Sequence, residues 1–292
     1  MSQSQQAVSP LRQRMIEDMN VRKLTPKTQD AYIRAMKSLA RFLGFPPDQA
    51  SSEDLRDFLV DLSIQGASIS TINATISGVR FFFRYTADKP DVVRKLKRKT
   101  LSPKMPVILT PEEVSRLLQA TQNMKYRAAF AVAYGAGLRI NEVCHLKVSD
   151  IDSKRMVIHV EQGKGHKDRN AMLSGNLLAV LRDWWRIGRA KGKLFPSGWL
   201  FPGLNPVNPL STRQLARACK EVAKAAKLDK NVTMHCLRHS YATHLLEQKV
   251  DLRVIQVLLG HSKIETTTRY TQVATNLLKE AKSPLDSLTL PT

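Results

Sequence analysis

The sequence predicts a mainly α-helical protein with a small antiparallel β-sheet, built as two domains. Three observations predict it. Apolar residues recur at helical spacing over most of the chain. One short segment, Met156-Val157-Ile158-His159-Val160, is β-rich and runs into a glycine-containing turn. A basic run followed by Pro103 and Pro106 interrupts the helical pattern near residue 100. The 292 residues suffice for two domains of ordinary size, and a 42% hydrophobic content suffices for their cores.

The elements follow in order. Helical signals begin near residue 11. Thr25 before Pro26 reads as an N-cap with proline at the first helical position, and Gly44 stops that helix after Leu43. Ser52 with Glu53 and Asp54 opens the next, with Leu55, Phe58, Leu59 and Leu62 on one face. Ile72, Ile76, Val79 and Phe83 align along a third, from about Ile69 to Tyr85. The run Arg94-Lys95-Leu96-Lys97-Arg98-Lys99 then reads as a linker, closing a first domain at about residue 100. The second, residues 101–292, opens on the capping-box pattern Thr110-Pro111-Glu112-Glu113. Its β segment turns at Gln162-Gly163-Lys164-Gly165 and returns near Asn170 to Leu173. Helices follow near Asn176–Gly188, Thr212–Leu228, His235–Glu247 and Leu252–Leu259, with a loop from Pro202 to Pro209. A tail helix is expected over Val273 to Ala281.

Charge is the strongest bulk signal. The chain holds 46 Lys+Arg against 25 Asp+Glu, a net charge of +21. Residues 1–103 carry 17 basic and 10 acidic groups and the remainder 29 and 15, so both domains are basic and the excess is no detachable tail. Lysine and arginine displace counterions from a phosphate backbone, so a nucleic acid is the expected partner. Cys144, Cys219 and Cys236 form no disulfide framework, which suits a reducing cytoplasm. The polar start MSQSQQAVSP gives no secretory signal, and no run approaches the ~18 apolar residues of a membrane span.

Four segments carry chemistry. In His235-Cys236-Leu237-Arg238-His239, positions i and i+3 put His235 and Arg238 on one face, an imidazole beside a fork of fixed donors that suits a phosphate. His235 and His239 are spaced as metal ligands could be, but the acidic residue of a zinc-protease motif is missing between them. In Gly135-Ala136-Gly137-Leu138-Arg139-Ile140-Asn141-Glu142, the glycines allow a tight break before a new helix. There Arg139 adds its guanidinium to free backbone N–H groups, and Glu142, one turn on, can hold it. Lys164 sits at a hairpin tip, where it is either solvated or able to reach a leaving oxygen, and Lys167 competes for that part. In Leu258-Leu259-Gly260-His261, Gly260 ends a helix and sets His261 beyond it, nine residues before Tyr270. A histidine there can cap a helix, and an isolated tyrosine is ordinarily a core residue.

Taken in order, Arg139, Lys164, His235-x-x-Arg238, His261 and Tyr270 resemble the active-site series of the tyrosine recombinase (phage integrase) superfamily, and most closely its Xer-like two-domain members. The resemblance covers nearly the whole chain. It implies a helical core-binding domain, with no arm-binding domain before it, and a catalytic domain. The first helices are also similar to those of integron integrases, but the stretch from Lys164 to His235 is too short for that branch's insertion.

The implied activity is site-specific DNA cleavage and rejoining. Tyr270 attacks the scissile phosphate to form a 3′-phosphotyrosyl link, and Arg139 and Arg238 hold the non-bridging oxygens. Lys164 protonates the leaving 5′ oxygen, His235 helps deprotonate the tyrosine, His261 bonds the phosphate, and Glu142 supports the site. Arg94, Lys95, Lys97, Arg98, Lys99 and Lys167 are expected on DNA. Neither cofactor nor metal is implied. The partners implied are double-stranded DNA and three further copies in a tetrameric synapse, one or more of which a related recombinase can replace. No membrane or small-molecule substrate is expected, and the location is cytoplasmic, with the nucleoid. A type IB-like topoisomerase shares the chemistry, and a regulator with a dead site shares the DNA binding; both stay open on sequence alone.

Overall fold

The computed structural model describes residues 9–100, 105–161, 168–195, 198–261, 263–268 and 270–271. The chain divides into two compact units, residues 1–103 and 104–292. The fold is the expected one, mostly helical with one small antiparallel sheet.

The first unit holds α1 (Pro10–Val21), α2 (Pro26–Leu43), α3 (Ser52–Ile64) and α4 (Ile69–Phe81). Thr25 caps α2 by accepting from the Thr28 amide, and Gly44 ends it at φ +73°, a left-handed conformation glycine adopts without steric cost. α3 opens at Ser52, as expected, with Ser51 as its N-cap. Ser51 and Asp54 form a reciprocal capping box there, because Ser51 supplies the hydroxyl that reaches the Asp54 amide. The apolar periodicity of α4 runs on through Phe83, but the backbone widens into a π-turn at Phe82–Thr86. Met15, Met19, Leu39, Leu55, Phe58, Ile72, Ile76 and Phe83 fill the core. α2 and α4 approach closely because Gly78 faces Ala35; a Cβ on Gly78 would lie 3.0 Å from the Ala35 Cβ.

The basic segment departs from the expected linker. A 3-10 turn at Pro90–Val93 leads into it, and Val93 and Leu96 are buried in the first core. Asn73 of α4 pairs with the Lys99 backbone in both directions, each bond 2.8 Å, and Arg98 donates to the Ser77 hydroxyl at 2.6 Å. Val93 and Leu96 anchor the segment in the first core, and the bonds to Asn73 and Ser77 hold it against α4.

The second unit holds α5 (Pro111–Ala120), α6 (Met124–Gly135), α7 (Ile140–Cys144), β1 (Ile151–Asp152), β2 (Val157–Val160), β3 (Arg169–Met172), α8 (Gly175–Ala190), α9 (Thr212–Ala225), α10 (Met234–Glu247), α11 (Leu252–Leu259) and α12 (Glu265–Thr268). The strands run antiparallel in the order β1-β2-β3, and Val160 pairs with Arg169. Every residue of α6 from Ala128 to Ala133 is buried, so this alanine-rich helix is the centre of the unit rather than a surface element. Trp184 of α8 fixes the loop beyond by donating its indole N–H to the Leu200 carbonyl at 2.8 Å. A smaller apolar cluster joins Tyr241, Ala242 and Leu246 to Ile255, Leu259 and Tyr270. Among the described residues no helix is long and apolar enough to cross a membrane. The turn expected at 162–165 and the tail helix expected at 273–281 fall outside the described residues.

Gly78→Val should overpack the α2–α4 contact, costing about 1–3 kcal/mol. Hydrogen–deuterium exchange should quicken in peptides from α2 and α4 and stay unchanged in α8. Unchanged exchange in α2 and α4 would show that the small residues do not set that contact.

Candidate active site

The site begins where α6 stops. Gly137 lies at φ +64°, and a Cβ there would fall 2.4 Å from the Tyr241 ring, so only glycine fits. The chain leaves this turn extended, and Arg139 becomes the N-cap of α7. Glu142, in the first turn of α7, accepts the Arg139 amide on Oε2 at 2.8 Å and Arg139 Nη1 on Oε1 at 2.7 Å.

Glu142 holds more than Arg139. Arg169, at the start of β3, donates Nη1 to Oε1 at 3.0 Å and Nη2 to Oε2 at 2.8 Å, a bidentate pair. Arg238 of α10, only 3% exposed, brings Nη1 to 3.8 Å from the same carboxylate. Burial alone would raise the Glu142 pKa. The hydrogen bonds and charge of Arg169, with the hydrogen bonds of Arg139, outweigh it and hold the carboxyl at about 2. Burial and the neighbouring Arg139 push Arg238 down to about 10, which still leaves it charged at neutral pH.

The end of α11 completes the clamp. Gly260 adopts φ +61° and closes the helix as its left-handed cap. Three consecutive carbonyls there each accept from one arginine. Leu258 takes Arg169 Nε at 3.3 Å, Leu259 takes Arg238 Nη2 at 2.7 Å, and Gly260 takes Arg139 Nη2 at 3.3 Å. The last carbonyls of a helix lack intrahelical partners and carry its negative dipole end, so cations bind there favourably. Arg238 Nη1 also donates to the Gly137 carbonyl at 2.5 Å.

His261 follows directly. Its Nε2 lies 3.0 Å from Arg238 Nη2 and its Nδ1 lies 2.8 Å from the Thr267 hydroxyl. A guanidinium can only donate, so Nε2 is the acceptor and a neutral ring carries its proton on Nδ1. Tyr270 stacks on this imidazole at 6.5 Å between centroids and 13° between planes, and is 2% exposed. The Tyr270 hydroxyl sits 3.0 Å from Nδ1 of His239. His235, one turn earlier, faces His239 at 6.1 Å from the solvent-exposed mouth of the site. Its pKa is pushed down, first by desolvation and then by the charges of Arg238 and Arg139.

The structure thus gathers Arg139, Glu142, His235, Arg238, His261 and Tyr270 within one unit. Lys164 and Lys167 lie outside the described residues. Arg94, Lys95, Lys97, Arg98 and Lys99 belong to the first unit. Two residues escaped the sequence reading. Arg169 carries no motif of its own, and its partner is 27 residues away. His239 entered only as a possible metal ligand, although its spacing from His235 put it on the same helical face. Among the described residues no group of three His, Cys, Asp or Glu side chains could hold a metal ion.

A buried tyrosine hydroxyl beside clustered guanidiniums, on this fold, defines a class of DNA strand-transfer enzymes that use a tyrosine nucleophile. Residues 108–276 match the phage integrase family, and residues 11–91 match the phage integrase N-terminal SAM-like domain. The chain y4qK of Sinorhizobium fredii, which carries the name integrase/recombinase, is 42% identical over 288 residues, covering 97% of this chain and 91% of that one. The tyrosine recombinase XerA of Pyrococcus horikoshii is 34% identical over 238 residues, covering 82% and 80%. Among solved structures, the post-cleavage complex of the XerH site-specific recombinase with palindromic difH substrate has the same fold. It gives a TM-score of 0.70 at 22% identity, covering 98% of this chain and 92% of that one. The chain belongs to the phage integrase family, the tyrosine recombinases, and is an enzyme of that type.

The folded pKa of Glu142 lies below its ordinary value of 4.5, so its ion pairs stabilise the protein above that pH and are lost as pH falls toward 2. The shift corresponds to about 3 kcal/mol at most. Urea unfolding of Glu142→Gln and the unaltered protein should therefore show a stability gap that is full at pH 6 and shrinks from pH 4.5 toward 2. A gap independent of pH would mean that the carboxylate is not held by the arginines.

Proposed function

We propose that this chain recombines DNA at a specific site, with Tyr270 as nucleophile and Arg139 and Arg238 as the grip on the scissile phosphate. The observation that carries this is Tyr270, stacked on His261 and bonded to His239, in the same unit as a largely buried guanidinium cluster whose charge one carboxylate only partly cancels; His261 itself bonds Arg238 of that cluster. Three guanidiniums against Glu142 leave a positive excess, which a phosphodiester in the pocket would share. Arg139 commits two N–H groups to Glu142 and Gly260, and its remaining donors can serve the non-bridging oxygens.

The Tyr270 oxygen attacks phosphorus in line, a 3′-phosphotyrosyl bond forms, and the 5′ oxygen leaves with a proton from Lys164, or from Lys167 in its place. A second 5′ hydroxyl reverses the step on a new strand. One phosphodiester replaces another, so no high-energy cofactor enters the balance, and the arginines supply the charge that Mg²⁺ gives other phosphoryl-transfer enzymes. His261, held beside Arg238, bonds the phosphate that the arginines grip. The first unit, with Arg94, Lys95, Lys97, Arg98 and Lys99, holds the flanking duplex through phosphate contacts. Four protomers form the synapse on two double-stranded sites, a second recombinase being able to share it, in the cytoplasm with the nucleoid.

Tyr270→Phe should bind DNA as the unaltered protein does, yet form no covalent adduct with a nicked suicide duplex on a denaturing gel. The unaltered protein should form that adduct in excess EDTA. An adduct in the variant, or cleavage that needs added Mg²⁺, would contradict the assignment.

A further inference from the structure

We propose that His239 is the base that receives the Tyr270 proton during strand cleavage. This rests on the recombinase function set out above. His239 Nδ1 lies 3.0 Å from the Tyr270 hydroxyl, within direct transfer distance, and the rings are 5.6 Å apart. Tyr270 is 2% exposed, so bulk water has little access to the hydroxyl. His261, stacked on the same tyrosine, has its Nε2 engaged by Arg238 and its Nδ1 by Thr267. His239 follows Arg238 on α10, so the backbone that fixes the phosphate grip also fixes the base.

The charged and titratable groups around His239 fit this part. On its own helix, Arg238 is adjacent in sequence and His235 packs at 6.1 Å. From the segment beyond α11, Tyr270 bonds it directly and His261 lies behind the Tyr270 ring. His235 is exposed and can carry the proton onward to solvent. His235 therefore serves as an outer relay, in place of the direct role expected from the sequence.

The step balances. The Oη–H bond of Tyr270 breaks and its proton passes to Nδ1 of a neutral His239. The freed oxygen forms the bond to phosphorus, and the P–O5′ bond breaks as the general acid protonates the 5′ oxygen. On rejoining, the imidazolium returns the proton to Tyr270.

The test uses the full chain. Duplexes that bind are enriched from a random-core library with the Tyr270→Phe protein, then nicked near the cleavage position so that the adduct is trapped. Single-turnover adduct formation is measured against pH for the unaltered protein, His239→Asn and His239→Ala. Asparagine places an amide near Nδ1 and keeps a hydrogen bond, but takes no proton at these pH values.

His239→Asn should bind the duplex normally and cleave on the order of 10²-fold more slowly or worse. It should also lose the limb of the pH profile that rises through the imidazole range. Replacing the 5′ bridging oxygen by sulfur, which leaves without a proton, should not restore the rate. His239→Ala should show the same losses. A His239→Asn rate and pH profile like the unaltered protein's would overturn the proposal, and so would rescue by the sulfur substrate. Should both variants misfold, the unaltered protein's profile decides: no rising limb in the imidazole range overturns it. If the unaltered protein forms no tyrosyl adduct with any enriched duplex, the recombinase function itself fails; a failure confined to His239 leaves that adduct intact.

Discussion

The site depends on one electrostatic constraint: three guanidinium groups must be kept together away from bulk water. Like charges at about 4 Å repel by roughly 4 kcal/mol at an effective dielectric near 20. Glu142 touches Arg139 and Arg169 directly and lies 3.8 Å from Arg238. The carbonyls of Leu258, Leu259 and Gly260 take one donor from each of the same three arginines. A carboxylate at the start of α7 and the negative end of α11 thus face each other across the cluster. Removing either leaves buried charge without compensation, a large cost in any protein.

Much of the second unit follows from that requirement. Gly137 lets the α6–α7 turn pass against Tyr241, so the Gly137 carbonyl meets Arg238 while Arg139 reaches Glu142. Gly260 ends α11 where a side chain would collide with Arg169, since a Cβ there would lie 2.7 Å from its Cδ. The sheet delivers Arg169 from the end of β3 that pairs with Val160. The apolar cluster of Tyr241, Leu246, Ile255 and Leu259 holds Tyr270 beside the charges. The same tyrosine is buried as a core residue and is the one the proposed reaction would use as nucleophile.

Local signals made most of the fold legible in the sequence. Thr25, Pro26 and Gly44 bound α2, and α11 runs from Leu252 to Leu259 with Gly260 after it, because caps and glycine stops act within a few residues. The order of Arg139, His235, Arg238, His261 and Tyr270 was equally readable, and the fold does bring these residues together. What escaped depends on distant contacts. Arg169 finds Glu142 across 27 residues, and His239 finds Tyr270 across 31. Helical spacing drew His235 toward Arg238 but said nothing of which histidine the tyrosine would meet. The charge of residues 94–99 masked Val93 and Leu96, whose burial decides where that segment lies.

The contacts of Tyr270 with His239 and His261 of its own chain set the tyrosine in the same unit as the arginines, so the proposed cleavage would draw both from one chain. Mixing Arg139→Ala, which keeps the tyrosine but loses the grip, with Tyr270→Phe, which keeps the grip but loses the nucleophile, tests this most directly. On a nicked duplex that the unaltered protein cleaves, the mixture should form no covalent adduct. Adduct formation by the mixture, when neither variant forms it alone, would show that the tyrosine enters a neighbour's pocket and would contradict a site completed within one chain.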